Sequence, residues 1–304
     1  MEFRNLYSFL RTAELGSFTK AAQELGYAQS TITTQIQQLE SELGFPLFEH
    51  IGRRIDLTVH GREVITYANQ ILHIQEQILN LHHTNSADTH GTLRIGIVES
   101  IMNSTLLATI KTYQKRFPNV QIQIFQAVTT PLFEMLRRNE VDLVFTMGDL
   151  ADVPGCVCAC CHQVHAVFVS SPKHPMAQQR QIPLADVLAQ PLILTGEITF
   201  LRRELAKIAY GCGIELNPII QTESSSTILR LVAQNLGIAF LGEYMVRCPF
   251  YRDEVTILPV TGYSLPFYTY IFYHKSKYLN PQMTGLIRLI EEYWQELDQN
   301  PRSQ

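Results

Sequence analysis

Residues 17–58 read SFTKAAQELGYAQSTITTQIQQLESELGFPLFEHIGRRIDLT, and their apolar spacing restricts the fold more than any other stretch. Phe18, Ala21, Ala22 and Leu25 form the inner face of a short helix. Gly26 ends it, because glycine takes the left-handed conformation after a last helical turn without steric cost. A three-residue turn follows, and Gln29 or Ser30 opens the next helix. There Ile32, Ile36, Leu39 and Leu43 recur at spacings of four, three and four, which makes one buried stripe. The opposite face is Gln29, Ser30, Thr33, Thr34 and Gln37, all short or amide-bearing hydrogen bonders. A helix of that shape fits the major groove of DNA, where Gln amides read adenine edges and Ser and Thr serve several bases. After Gly44, the residues Phe45, Pro46, Leu47 and Phe48 form an apolar plug. His50, Gly52, Arg53 and Arg54 then lead into a β-like Ile55-Asp56-Leu57-Thr58. This predicts a two-strand wing whose basic tip, Arg53 and Arg54, suits phosphate contact.

The A-A-x-x-L-G core, the L-E-x-x-L-G-x-x-L-F run and the G-R-R-x-x-L-T wing occur in fixed order within this segment. On these motifs the chain resembles the LysR-type transcriptional regulators, over essentially its whole length. Ala21-Ala22, Leu25, Gln29-Ser30, Gln35-Ile36, Leu39-Glu40, Leu43-Gly44, Leu47-Phe48 and Leu57-Thr58 fall where that family's signature has them. Two departures thin the direct charge on phosphate. His50 stands where the family usually has arginine, and Thr33 and Thr34 stand where it usually has a serine and a basic residue. The resemblance implies a sequence-specific regulator of transcription controlled by a small-molecule effector, with no cofactor. Its DNA partner would be a double-stranded promoter operator with dyad symmetry.

Charge complicates that expectation. Residues 1–58 carry five basic residues (Arg4, Arg11, Lys20, Arg53, Arg54) against seven acids (Glu2, Glu14, Glu24, Glu40, Glu42, Glu49, Asp56), a net of −2, and the whole chain is at −4. Counterion release favours a basic DNA-binding domain, so nonspecific affinity from one copy should be weak. Several copies on one DNA compensate through effective concentration. No apolar run reaches the ~18 residues of a membrane span, and Met1 to Leu10 lack a basic segment followed by a long apolar one. The expected location is cytoplasmic, with no membrane partner.

Thr58 reads as the N-cap of a long helix running to about residue 84. Val64, Ala68, Ile71, Gln75 and Ile78 keep a four-three spacing, flanked by Ile65, Leu72 and Leu79. Such a stripe suits either a dimerising helix pair or a helix packed on its own domain. Pairing is favoured, since a helix-turn-helix protein gains from two half-sites; the expected assembly is a homodimer or homotetramer. Periodicity is lost from His82 to Gly91, a hinge. From Thr92, strand and helix patterns alternate. The strands are 93–98, 120–126, 141–146, 156–169, 191–194, 217–222, 237–241 and 266–273, and the helices are 104–117, 131–138, 199–210, 225–235 and 281–297. This succession predicts βα lobes with right-handed crossovers, joined by two crossings around a cleft. The resemblance adds that such an effector domain is built like a periplasmic binding protein. The chain is thus expected to be α/β, with an all-α winged helix-turn-helix N-terminal domain and a C-terminal two-lobed periplasmic-binding-protein-like effector domain. The divisions are 1–58 for DNA binding, 59–90 for linker helix and hinge, and 91–304 for the effector domain. Lobe I takes about 91–161 and 267–304, and lobe II about 162–266.

Ligands bind such sheets at the carboxyl ends of strands and the N-termini of the following helices. That rule selects Ser100 and Ile101 after the first strand, Thr129 after the second, and Thr195, Thr199, Phe200 and Arg202 in the second lobe. Free helix N–H groups and hydroxyls favour an anionic or strongly polar metabolite, whereas Glu99 and Glu223 favour an amine. Thr199 and Ser224 have an alternative role as simple helix caps.

Cys156, Cys158, Cys160 and Cys161, near His162 and His165, offer soft ligands and raise an alternative, a metal- or thiol-responsive regulator. The C-x-C-x-C-C spacing is not the C-x2-C pairing of common zinc sites, and no metal is expected. On a regular strand Cys156, Cys158 and Cys160 share one face and Cys161 points away. The redox branch of the resembled family uses a cysteine pair in the second lobe, but Cys212 and Cys248 are distant in sequence. The chain has no G-x-S-x-G, H-E-x-x-H, P-loop or glycine-rich dinucleotide turn, so an α/β enzyme with an incidental helical N-terminus is disfavoured. A nucleoid-like architectural protein would need no ligand cleft.

Overall fold

The computed structural model describes residues 1–51, 54–79, 89–150, 152–248, 251 and 253–299. Two compact units divide the chain near His83.

The N-terminal unit begins with α1 (Phe3–Leu15), α2 (Phe18–Leu25) and α3 (Gln29–Leu43). The sequence reading did not place α1, although Leu6, Phe9 and Leu10 give it an apolar face. Ser17 caps α2 by accepting from Lys20 N at 3.3 Å, and Gly26 closes it at φ 70°. That left-handed conformation costs other residues about 1–2 kcal/mol. The buried side of α3 is Ile32, Gln35, Ile36 and Leu39, and Leu43 is half-buried. Gln35 is held inside by Ser8, whose hydroxyl donates to Oε1 at 2.6 Å. These residues join Leu6, Phe9, Ala22, Leu47, Ala68 and Leu72 in one core.

The wing forms as expected from β1 (Phe48–Ile51) and β2 (Arg54–Leu57), antiparallel with Phe48 opposite Leu57. The carboxylate of Glu40 accepts from Leu47 N at 2.7 Å and Phe48 N at 3.3 Å, which ties the end of α3 to the start of the wing. Thr58 caps α4 (Val59–Leu79), accepting from Gly61 N at 2.9 Å and donating to Pro46 O at 2.8 Å. Gly52, Arg53 and residues 80–88, which include most of the hinge expected from 82 to 91, lie outside the described residues.

Helix α4 divides its faces. Val64, Ile65, Ala68, Ile71 and Leu72 pack into the core of their own unit. Tyr67, Ile74 and Ile78 are exposed, at 63%, 49% and 60%. The apolar stripe is thus divided between residues that pack into their own unit and residues that are exposed.

The C-terminal unit starts with β3 (Gly91–Ile97) and a helix in three parts: α5 (Glu99–Ile101), a π-helical turn (Met102–Leu106) and α6 (Leu107–Arg116). It continues through β4 (Val120–Gln126), α7 (Thr129–Arg137), β5 (Leu143–Gly148) and β6 (Cys156–Ser170). Next come β7 (Ile182–Pro183), α8 (Leu184–Leu188), β8 (Leu192–Leu194), α9 (Phe200–Gly211), β9 (Ile220–Gln221) and α10 (Ser225–Ala233). The last elements are β10 (Ile238–Gly242), α11 (Glu243–Arg247), β11 (Thr256–Ile257), β12 (Val260–Thr261), β13 (Pro266–His274) and α12 (Pro281–Gln299).

The large sheet runs β4-β3-β5-β13-β6-β10-β8-β9, with β11 also on β6. β3 is parallel to β4 and β5, and β8 is parallel to β9 and β10. β6 belongs to both halves. It pairs with β13 from Cys156 to His165, then with β10 from Ala166 to Val169. The chain returns at Leu265, whose carbonyl accepts from Ala166 N at 3.0 Å. Two βα lobes thus hang on one strand, and a return segment runs beside it.

Candidate functional site

In the N-terminal unit the outer side of α3 carries Gln29, Ser30, Thr34 and Gln37, all exposed, with Thr33 half-buried. No charged residue occurs from Gln29 to Leu39. Four acids of this unit are engaged elsewhere: Glu14 and Glu24 with Arg11, Glu2 with Arg4, and Glu42 with the N-terminal amine at 2.7 Å. The net −2 of the segment therefore does not fall on the helix face built for hydrogen bonding. Thr33 Oγ1 donates to Gln29 O at 3.0 Å and Thr34 Oγ1 to Ser30 O at 2.9 Å. Gln29 Oε1 accepts from Thr19 Oγ1 at 3.0 Å. Arg53 and the side chain of Arg54 lie outside the described residues.

In the C-terminal unit a cleft of about 1360 Å³ opens between the lobes. It is lined by Ser100, Thr129, Thr195, Thr199 and Phe200, five of the seven residues selected from sequence. The other two lie elsewhere. Ile101 has 0% exposure and belongs to the core, because it is the inward residue of the first helical turn after β3. Arg202 is 8% exposed with its Nε unpartnered, and its neighbour Arg203 lines the cleft instead.

The hydroxyls of Thr129, Thr195 and Thr199 are paired. Thr195 Oγ1 is 2.7 Å from Thr199 Oγ1, and Thr129 Oγ1 is 2.8 Å from Thr146 Oγ1. Thr199 does not cap α9 with its side chain, which donates to Gly196 O at 2.8 Å. Ser224 does cap α10, accepting from Thr227 N at 3.2 Å.

Tyr244 is a lining residue that sequence reasoning missed. Its Oη is 2.7 Å from Ser100 Oγ and 3.0 Å from Met147 Sδ. Burial holds its phenol well above the ordinary tyrosine range, so it stays neutral and hydrogen-bonded. It stands just past β10, so the strand-end rule applied to that strand would have found it. The charged lining is Glu99, Asp149, Glu204 and Glu223 against Arg203 and Lys207, and Lys207 is paired with Glu204 at 2.6 Å. The π turn beginning at Met102 lies beside this cleft, with Ser104 Oγ donating to Ser100 O at 2.8 Å. Extra-residue turns of this kind recur at functional sites.

The four clustered thiols do not share faces as a regular strand predicts. A register shift between Ile271 and Phe272 skips Ala159, so β6 bulges between Cys158 and Cys160. Cys158 and Cys161 are both exposed, with Cys158 Sγ donating to Cys160 O at 3.4 Å, while Cys160 is partly buried. Cys158 is pushed up to about 11, first by desolvation and then by Cys161. His162 is stacked on Trp294 and lies 3.0 Å from Asp298, and His165 contacts Glu243. Among the described residues no group of three or more His, Cys, Asp or Glu could hold a metal ion. Among them, too, no helix is long and apolar enough to cross a membrane.

Comparison with known proteins accords with both halves of this architecture. Residues 3–62 match the family described as bacterial regulatory helix-turn-helix protein, lysR family, and residues 86–295 match the LysR substrate binding domain. The chain is 29% identical over 296 residues to the uncharacterized HTH-type transcriptional regulator YwqM of Bacillus subtilis (strain 168), spanning 95% of this chain and 98% of that protein. It is 28% identical over 308 residues to the HTH-type transcriptional regulator CzcR of Bacillus thuringiensis subsp. konkukian (strain 97-27), spanning 96% and 98%. Its fold is similar to full-length CbnR complexed with target DNA, with a TM-score of 0.69, 19% identity and coverage of 96% and 99%. It is also similar to full-length OxyR from Pseudomonas aeruginosa, with a TM-score of 0.67, 20% identity and coverage of 97% and 95%. The chain belongs to the LysR family: it is a DNA-binding transcriptional regulator that carries a substrate-binding effector domain.

Proposed function

We propose that this regulator binds a dyad-symmetric promoter operator as a dimer or dimer of dimers, and that a polar metabolite in the inter-lobe cleft controls it. Gln29, Ser30, Thr33, Thr34 and Gln37 read bases, and Arg53 and Arg54 hold phosphate. The exposed Tyr67, Ile74 and Ile78 of α4 pair with the same helix of a second copy. Ser100, Thr129, Thr195, Thr199 and Phe200 contact the effector, with Tyr244 orienting Ser100. The protein acts by binding, not by turnover, and works in the cytoplasm.

The observation that carries this reading is an uncharged, hydrogen-bonding helix face in the same chain as a cleft lined by paired hydroxyls. Footprinting on DNA upstream of its own gene or a divergent neighbour, repeated across candidate metabolites, tests it. Protection of a dyad, altered by one metabolite class, is expected. Uniform protection of any DNA, indifferent to metabolites, refutes it.

A further inference from the structure

Glu99 follows β3 in the first lobe by two residues, yet its carboxylate ends against the second lobe. Oε1 accepts from Ser224 Oγ at 3.2 Å, Ser226 Oγ at 2.9 Å, Ser226 N at 3.3 Å and Asn103 Nδ2 at 2.7 Å. Oε2 accepts from Ser225 N at 2.9 Å. Two of these donors are the first amides of α10. The start of a helix favours an anion, because its first N–H groups have no partner within the helix and the helix dipole is positive there. In this cleft that position is taken by a carboxylate of the protein itself.

We propose that Glu99 is a built-in ligand. It latches the two lobes across the cleft, and it keeps anionic groups of an effector away from α10. The proposal rests on the cleft being the effector site. Glu223 reinforces the exclusion. Its carboxylate lies over Gly196 so closely that a β-carbon there would sit 1.9 Å from Oε1. An incoming anion meets two carboxylates on this wall, so the effector is neutral or cationic where it faces α10.

Replacing Glu99 by alanine in the full chain removes the carboxylate and leaves its donors open. The test is thermal unfolding of Glu99→Ala in sodium acetate against sodium chloride of equal ionic strength. Wild type should show no acetate-specific rise in Tm. Glu99→Ala should melt lower in chloride, and acetate near ten times its Kd should raise Tm by about 3–6 °C. Adding Ser224→Ala and Ser226→Ala should shrink that rise, since only the two α10 amides and Asn103 Nδ2 then remain as donors. Acetate that stabilises wild type equally, or leaves Glu99→Ala unmoved, overturns the proposal. If Glu99→Ala folds poorly in chloride, recovery of folded protein by acetate is the same readout. Glu99→Gln fills the position without charge, so it should melt below wild type and ignore acetate; an unchanged Tm overturns the latch. Acetate reports on the local site whatever the natural effector is, whereas the footprinting series tests the cleft as effector site.

Discussion

Thr33 and Thr34 spend their single hydroxyl protons on carbonyls one turn back in α3. What they offer outward is lone pairs and a methyl group. They therefore suit amino groups of adenine or cytosine and the thymine methyl, and they do not suit groove acceptors. Gln29, whose Oε1 already accepts from Thr19, offers mainly its amide protons. Gln37 is exposed, and among the described residues its amide has no hydrogen-bond partner, so both its oxygen and its protons remain available. Gln37→Ala should cost about 1–3 kcal/mol on the cognate operator and little on a scrambled duplex, measured by titration of labelled DNA. Equal losses on both duplexes would reassign Gln37 to backbone contact. A second residue-level prediction concerns Cys158, held up to about 11. A raised thiol pKa means less thiolate at neutral pH, so iodoacetamide should alkylate Cys158 about 100-fold more slowly than an ordinary thiol there. The rate should climb as pH approaches 11. Fast labelling at pH 7 would revive the thiol-sensing alternative.

At the scale of elements, one periodic pattern on α4 divides between a packed face and an exposed one. Its stripe was legible, but periodicity cannot say which residues face the home core and which face outward. Ile71 packs inward, whereas Ile74 and Ile78 remain exposed. Ile74→Glu with Ile78→Glu should therefore dissociate the assembly in sedimentation without lowering the thermal stability of either unit. A double variant that stays dimeric and binds its operator at full affinity would sink the pairing role. The alternating strands and helices from residue 92 were also legible, because buried parallel strands are continuous apolar runs. Strand β9 shrank from the expected 217–222 to Ile220–Gln221, since it pairs with β8 at only two positions. The helix expected at 104–117 begins at Glu99 and carries a π turn, which no apolar spacing announces. Tyr244 escaped notice because α11 has only five residues, too few to show a period. The bulge at Ala159 depends on β13, a strand more than a hundred residues away, so the faces of the cysteines were not readable locally.

For the whole molecule, effector control requires a ligand that binds one arrangement of the lobes better than another. The shift cannot exceed that difference in affinity. Ser100 sits where both lobes contribute, touching Tyr244 and Met147. Ser100→Ala should leave operator affinity within about twofold and blunt the response to effector by about fivefold, in keeping with the ~1 kcal/mol of a typical hydrogen bond. Loss of DNA binding itself would mean that Ser100 is structural. DNA affinity should also be steeply dependent on protein concentration, because each copy brings few cations.

The strand shared by the lobes gives any rotation of one lobe against the other a long lever arm. β6 extends from the change of partner at His165 and Ala166 back to Cys156, a reach of about 33 Å at ~3.3 Å per residue. A rotation of about 5° at that pivot displaces the far end by roughly 3 Å, more than close-packed side chains absorb without exchanging neighbours. A small rotation between the lobes, too slight to reshape the cleft, would therefore reach Cys156 at the far end of β6 as an exchange of packing neighbours.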